Sequence, residues 1–99
     1  MLALITFDLF GAKPSDYPRV KKRLASLKFE GYLVGSKKLP VRLPYNTYAA
    51  RLSGSGRTAA QLRDDLKRRV QQLISAMNLK ARVFVLVSRR SWGWSIKTV

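Results

Sequence analysis

Asp8 is the acid in this sequence most suited to chemistry, because it stands near the end of an apolar run, Leu2–Phe10. The run has the length of a strand and stops at Gly11, and a strand that is apolar on both faces is typical of the buried centre of a sheet. Only five residues are acidic, against twenty lysines and arginines. Two interpretations stay open: Asp8 forms the turn after the strand, or it is the chemically active group of the protein.

Residue types that the sequence lacks narrow this chemistry further. There is no cysteine, which removes disulfides, thiolate catalysis and cysteine-ligated zinc. There is no histidine either, so the usual general base at neutral pH and the usual transition-metal ligand are both missing. A metal would therefore be a hard ion held by carboxylate oxygens, and we expect no organic cofactor.

The formal net charge of +15 over 99 residues is the strongest indication of a partner. A field of this sign attracts polyanions and opposes association between copies unless a counter-charge is present. We therefore expect the protein to bind nucleic acid, RNA or DNA, through phosphates and without reading sequence. An acidic protein partner is the alternative. A membrane is not expected, because no basic amphipathic helix rich in tryptophan and phenylalanine is evident.

The apolar content predicts one folded domain over residues 1–99. Hydrophobic residues make up 46% of the chain, which is enough to offset the entropy lost on ordering it. The apolar run at the N-terminus is too short to span a membrane and has no basic region before it, so it does not fit a signal peptide. We expect a soluble, cytoplasmic protein.

Two helices are predicted from apolar spacing. Tyr17, Val20 and Leu24 recur at helical intervals and predict a helix over residues 16–28. Thr58 and Gln61 form a capping box that opens the second helix, and Asn78 is placed to end it. The buried stripe of this second helix is expected to consist of Leu62, Leu66, Val70, Leu73 and Met77, widened by Ile74.

The remaining apolar segments predict four strands, at residues 2–10, 29–35, 45–52 and 81–87. The order is α+β and ferredoxin-like, β-α-β-β-α-β, with a four-stranded antiparallel sheet and both helices on one face. Pro40 and Pro44 are expected to prevent regular pairing through the basic loop between the second and third strands. The tail after the fourth strand could add a short fifth strand.

The first and fourth strands are apolar on both faces, so the sheet face away from the helices should be covered. A twofold homodimer that buries sheet against sheet is the simplest arrangement that covers it.

The opening strand, Ile5-Thr6-Phe7-Asp8-Leu9, within a β-α-β-β-α-β chain of this length, resembles a known group. It looks like the small CRISPR-associated adaptation protein family, the second of that series, and its relative, virulence-associated protein D, a toxin-type ribonuclease. The resemblance implies that Asp8 lies near a dimer axis beside its twin. It also implies metal-dependent phosphodiester cleavage, with Mg²⁺ or Mn²⁺ bound between the two carboxylates.

Basic residues in three regions are the candidates for phosphate contact, with one aromatic residue to stack on a base. They are Arg19, Lys22 and Arg23 on the first helix, Arg63, Lys67 and Arg68 on the second, Lys37, Lys38 and Arg42 with Tyr45 in the long loop, and Arg89 and Arg90 in the tail. If the tail is a strand, Trp92 and Trp94 share one face of it, so we expect them to pack across a dimer, with stacking on bases as the alternative.

The other acids have structural interpretations. We expect Asp16 to cap the first helix, Asp64 and Asp65 to favour the positive end of the second helix, and Glu30 to lie at a strand edge. The segment Gly54–Thr58 lacks the ending of a P-loop and is interpreted as a turn.

Three functions fit the sequence. The first is a dimeric nucleic-acid-binding protein that is a metal-dependent nuclease if Asp8 is catalytic. The second is a non-catalytic binder of single strands or an accessory protein of replication or mobile elements. The third is a toxin-like basic protein paired with an acidic protein.

Overall fold

Strand β1 (Leu2–Phe10) lies between two antiparallel neighbours, β4 (Thr47–Arg51) and β5 (Lys80–Ser88), in the computed structural model. The structure describes residues 1–35 and 38–89. The other elements are α1 (Asp16–Ala25), β2 (Tyr32–Val34), β3 (Pro40–Arg42) and α2 (Ala59–Ser75). The fold is therefore α+β with antiparallel sheets and two helices, as predicted.

Alternate residues of β1 enter the core, as its pattern predicts. Ala3, Ile5 and Phe7 are buried and belong to one cluster, whereas Asp8 is exposed on the opposite face. Antiparallel register sets Ile5 beside Tyr48 and Val85, so all three strands contribute to the same buried face. The period of two in side-chain direction thus divides the sheet into a core face and an open face.

Both helices cover the core face of this sheet. Val20 and Leu24 of α1 and Val70 of α2 are fully buried in the cluster that contains Ile5. Four more residues of the predicted α2 stripe are also buried, namely Leu62, Leu66, Ile74 and Met77. Leu73 is partly exposed. Burial of this shared apolar surface is the main favourable term that fixes the helices on the sheet.

A side-chain capping box opens α2, and a residue of positive φ lies in the turn after each helix. The Thr58 hydroxyl accepts from the Gln61 N–H at 3.1 Å, and the Gln61 side chain accepts from the Thr58 N–H at 2.9 Å, which confirms the capping box. Helix α2 ends at Ser75 with Ala76 as its C-cap, so the predicted Asn78 lies two residues beyond the cap, at φ 58° in the turn that follows. Helix α1 ends three residues before the predicted boundary, because Lys28 adopts φ 69° and turns the buried Phe29 back into the core.

The second predicted strand does not extend the main sheet to four strands. Its only backbone pairing with that sheet among the described residues is one antiparallel bridge, in which Glu30 and Ala49 exchange backbone hydrogen bonds of 2.9 Å. Beyond Gly31 the chain turns away, and β2 pairs with β3 in a separate two-stranded sheet. Leu33 and Leu43 then pack with Leu2 and Ala49 in a second apolar cluster, which explains the departure from the sheet.

The expectation that two prolines prevent pairing was wrong for Pro40. This residue is the first of β3 and lies opposite Val34. A proline is tolerated at the start of an edge strand because no neighbouring strand needs its missing N–H. The predicted fifth strand falls in residues 90–99, outside the described residues. No helix in the described part of the chain is long and apolar enough to cross a membrane.

Leu24 offers a test of the core. It is 0% exposed, so Leu24→Ala should lower the free energy of unfolding by about 2–5 kcal/mol, through lost burial and a residual cavity. Leu39→Ala is the matched control, since Leu39 is 67% exposed and should change stability very little. Urea unfolding followed by circular dichroism measures both. Equal losses in the two variants would contradict this packing.

Candidate nucleic-acid interface

Three arginines surround Asp65 of α2. Arg57 lies 3.0 Å from its carboxylate, Arg68 2.6 Å and Arg69 3.2 Å, and the Asp65 side chain is only 16% exposed. Desolvation alone would raise the pKa of Asp65, but Arg69, Arg57 and Arg68 together hold this pKa below its ordinary value. The carboxylate thus binds the loop before α2 to the helix and neutralises part of its charge.

This arrangement corrects the interpretation of Asp64 and Asp65 as residues of the positive helix end. The first turn of α2 contains no acid, and both carboxylates lie beyond it. Asp64 is exposed and pairs with its neighbour Arg63 at 2.9 Å. The hydrogen bond from Arg63 is the largest cause that lowers the pKa of Asp64. Asp64 and Asp65 therefore contribute to stability through ion pairs with arginine side chains and not through an interaction with the helix dipole.

Asp16 is the first residue of α1, but its carboxylate does not cap the helix. It accepts a hydrogen bond from the Lys13 N–H at 2.9 Å and pairs with Arg19 at 3.0 Å. Ser15 holds the N-cap position without a side-chain cap bond. The acid therefore closes the turn before the helix, and it also partly neutralises Arg19.

Asp8 and Glu30 are the remaining acids. Asp8 is exposed on the open face, opposite Arg82 in the β1–β5 register. Its side chain makes no hydrogen bond or ion pair with any described residue, so the turn-forming interpretation is not observed. Glu30 lies exposed at the isolated bridge, which confirms its place at a strand edge.

The six helical candidates for phosphate contact divide into two groups of three. Ion pairs hold Arg19, Arg63 and Arg68. The second group is exposed and makes no ion pair with residues that the structure describes: Lys22, Arg23 and Lys67. Because both helices cover the core face, their exposed side chains form a basic layer on the outside of the protein. Lys22 and Arg23 are the part of this layer farthest from compensation, whereas Lys67 also interacts electrostatically with Asp64 and lowers the pKa of that acid.

The Gly54–Thr58 segment forms a turn, as expected. The Arg57 N–H donates to the Gly54 carbonyl at 2.9 Å, and Gly56 adopts φ 77°, which glycine tolerates best. The Arg57 guanidinium is directed to Asp65, so it is already paired.

A cleft lies between α1 and the β2–β3 sheet, and it brings together cations and tyrosines from distant parts of the sequence. Two adjoining cavities form it, of about 100 Å³ and about 580 Å³, and Lys21, Gly31 and Arg42 line both. Tyr45 lines the smaller cavity and Tyr32 the larger. Positive charge beside aromatic rings is the chemistry that binds phosphates and bases.

Tyr45 is held at this cleft by one aromatic contact. Its ring lies 5.6 Å from the ring of Tyr17 in α1, at an interplanar angle of 39°, and 74% of the residue is exposed. Tyr48, at the base of the smaller cavity, stacks on Phe7 of the core, and burial raises the pKa of its hydroxyl. The smaller cavity of the cleft therefore has one buried tyrosine, Tyr48, and one exposed tyrosine, Tyr45.

Other predicted candidates lie elsewhere or outside the described residues. Lys38 is exposed in the loop before β3, and Arg89 is exposed after β5. Lys37, Arg90, Trp92 and Trp94 lie outside the residues that the structure describes.

Sequence reasoning missed Lys21 and Tyr32 as members of the cleft. One signal was present, because Tyr17 and Lys21 are four residues apart and therefore share a helix face. Their proximity to Arg42 follows from the separate β2–β3 sheet, which the sequence did not predict.

Comparison with known proteins gives no match: neither a protein-family model nor a curated protein matches the sequence. Functional inference therefore depends on the chemistry of these surfaces.

The arginine cluster makes a prediction about pH. Since the pKa of Asp65 is lowered in the folded state, its ion pairs stabilise the protein above the unfolded pKa of about 3.9 and lose this effect as pH falls through the folded pKa. Asp65→Asn should lower the melting temperature at neutral pH, and the difference from the unaltered protein should vanish in strong acid.

Asp64→Asn is the matched control, because Asp64 is exposed and pairs with one arginine only. Thermal melts across acidic and neutral pH measure both variants. An Asp65→Asn difference that persists unchanged in strong acid would contradict the assignment.

Proposed function

We propose that the protein binds nucleic acid without sequence specificity, through phosphate contacts of its exposed lysines and arginines. One observation carries this proposal: all described cations except Arg57 are exposed, in a chain with twenty cations and five acids. Three of those acids are already paired within or beside the helices. The uncompensated surface charge calls for a polyanion as partner.

The basic layer on the helices is the proposed phosphate-binding surface. Lys22, Arg23 and Lys67 are exposed and form no ion pair with a described acid, and they belong to helices that are side by side on one face. Such contacts displace counterions from the nucleic acid, so the affinity depends steeply on salt and little on sequence.

Two matched double variants test this placement. Lys22→Ala with Arg23→Ala removes two exposed charges from α1, and Lys13→Ala with Lys80→Ala removes two exposed charges that lie outside both helices. If the helix layer meets the phosphates, the first pair should reduce the slope of log K against log salt by about 2 units on duplex DNA, and the second should leave it nearly unchanged.

Fluorescence anisotropy with a labelled duplex, between about 50 and 200 mM salt, gives this slope. An equal reduction in both double variants would contradict a helix-side interface. Absence of binding by the unaltered protein even at low salt would refute the proposal and favour an acidic protein partner.

We propose that the fold is a variant of the ferredoxin-like arrangement in which one of the four strands is strongly shortened. The antiparallel order β4–β1–β5, with the Glu30–Ala49 bridge beside β4, supports a four-strand arrangement in which the outermost strand is reduced to one bridge. In that arrangement both helices cover one face, Leu33 and Leu43 cover Leu2 and Ala49 on the other face, and the part of that face beside β5 is left for another contact.

A homodimer is proposed to cover the open face. Phe84 and Leu86 of β5 are both more than half exposed there, beside Leu4 and Thr6 of β1. Apolar side chains grouped on one sheet face are typical of a contact surface. Asp8 and Arg82 lie on the same face and could form complementary charges across a twofold axis.

Metal-dependent phosphodiester cleavage at Asp8 is a second candidate function. The observation that favours it is an exposed carboxylate with no partner among the described residues, in a main sheet with no other acid. The donors of one chain do not fit Mg²⁺ or Mn²⁺, because the described residues contain no group of three potential ligands and Arg82 lies opposite Asp8. Cleavage would therefore require two chains, each supplying one Asp8.

A nuclease assay on the proposed dimer tests this candidate. We expect sedimentation to give a dimer, and end-labelled RNA, single-stranded DNA and duplex DNA to be cleaved only with Mg²⁺ or Mn²⁺. Asp8→Ala should keep binding and abolish cleavage. Intact substrate in every reaction, or cleavage that persists in Asp8→Ala, removes the catalytic role and leaves a binding protein.

A further inference from the structure

We infer that the cleft between α1 and the β2–β3 sheet binds single-stranded nucleic acid, with unpaired bases stacked on its tyrosines and the intervening phosphate at Lys21 and Arg42. This inference rests on the proposed nucleic-acid binding and adds the form of nucleic acid and a site for it. No step in it depends on Asp8 or on a metal.

The order of residues in the cleft carries the argument. Lys21 and Arg42 line both cavities and so lie between them, with Tyr45 on one side and Tyr32 on the other. Successive bases of a single strand are separated by one phosphate, so a strand presents base, phosphate and base in the same order as the tyrosine, the cations and the tyrosine of the cleft. A duplex cannot use the tyrosines in this way, because its bases are already stacked and paired.

Exposure of the tyrosines supports the same conclusion. Tyr45 contacts Tyr17 at one side of its ring but keeps most of its surface open, and Tyr32 is also exposed. The exposed ring surfaces beside Lys21 and Arg42 are open to a stacked base. Stacking is tolerant of sequence because every base has a π-face, in agreement with a protein that reads phosphates.

Polar residues differ between the two cavities. Asn46 lines the Tyr45 cavity, and its side-chain oxygen is buried without a hydrogen-bond partner among the described residues. Glu30 lines only the Tyr32 cavity, so the Tyr45 cavity is lined by cations and not by acids.

Stacking predicts a loss that depends on the form of the nucleic acid. Tyr45→Leu should weaken binding of short oligothymidine and oligouridine about tenfold, and binding of a duplex of equal length less than about twofold. Tyr45→Phe keeps the ring and should bind like the unaltered protein. Phe10→Leu is the control for loss of an exposed ring elsewhere, since Phe10 is 55% exposed at the end of β1.

Anisotropy titrations of the four proteins, with thermal melts to confirm folding, measure these ratios. Photocrosslinking of the unaltered protein to an oligonucleotide that contains iodouracil is an independent readout, and we expect the adduct on Tyr45 or Tyr32. Equal losses on single strand and duplex in Tyr45→Leu, or a crosslink confined to other residues, would overturn the inference.

The design separates the two levels of the proposal. If the unaltered protein binds neither single strand nor duplex at low salt, the proposed nucleic-acid binding itself is wrong. If it binds both while Tyr45→Leu and Phe10→Leu behave alike, binding stands and the cleft has no part in it.

Discussion

Burial of one face of β1 is the constraint on which the rest of the structure depends. Ile5 and Phe7 can leave water only if the helices cover that face, so Val20 of α1 and Val70 of α2 pack against the same strand. The burial of this face of β1 also determines which way the other side chains of β1 and of both helices point. Exposed helix residues must face away from the sheet, and Asp8 must lie on the open face.

Local pattern determined most of the main sheet and both helices, and this part of the fold could be predicted. The period of two in β1, the helical stripe from Leu62 and the Thr58 capping box are short-range signals, and the structure agrees with each. The separate β2–β3 sheet could not be predicted in the same way. It depends on Leu33 and Leu43 covering Leu2 and Ala49, a contact between distant segments that leaves no local period.

The candidate surfaces show the same division between local and distant information. Composition predicted an excess of exposed cations, but it could not show which of them the acids neutralise. Asp65 illustrates the difficulty, because one of its three arginines, Arg57, comes from the loop before α2 and not from the helix itself. The cleft was beyond prediction for a similar reason: Lys21 and Arg42 meet only because the β2–β3 sheet returns to α1.

Arginine and lysine have different roles on this surface. Every ion pair found among the described residues uses an arginine, and none uses a lysine. The planar guanidinium forms directional bonds with carboxylates, and Asp65 can therefore organise several of them, whereas the lysine ammonium is a compact, strongly hydrated charge. Three of the five acids thus pair with arginines that shape the helix surface, and the exposed lysines of the helices form no ion pair with a described acid.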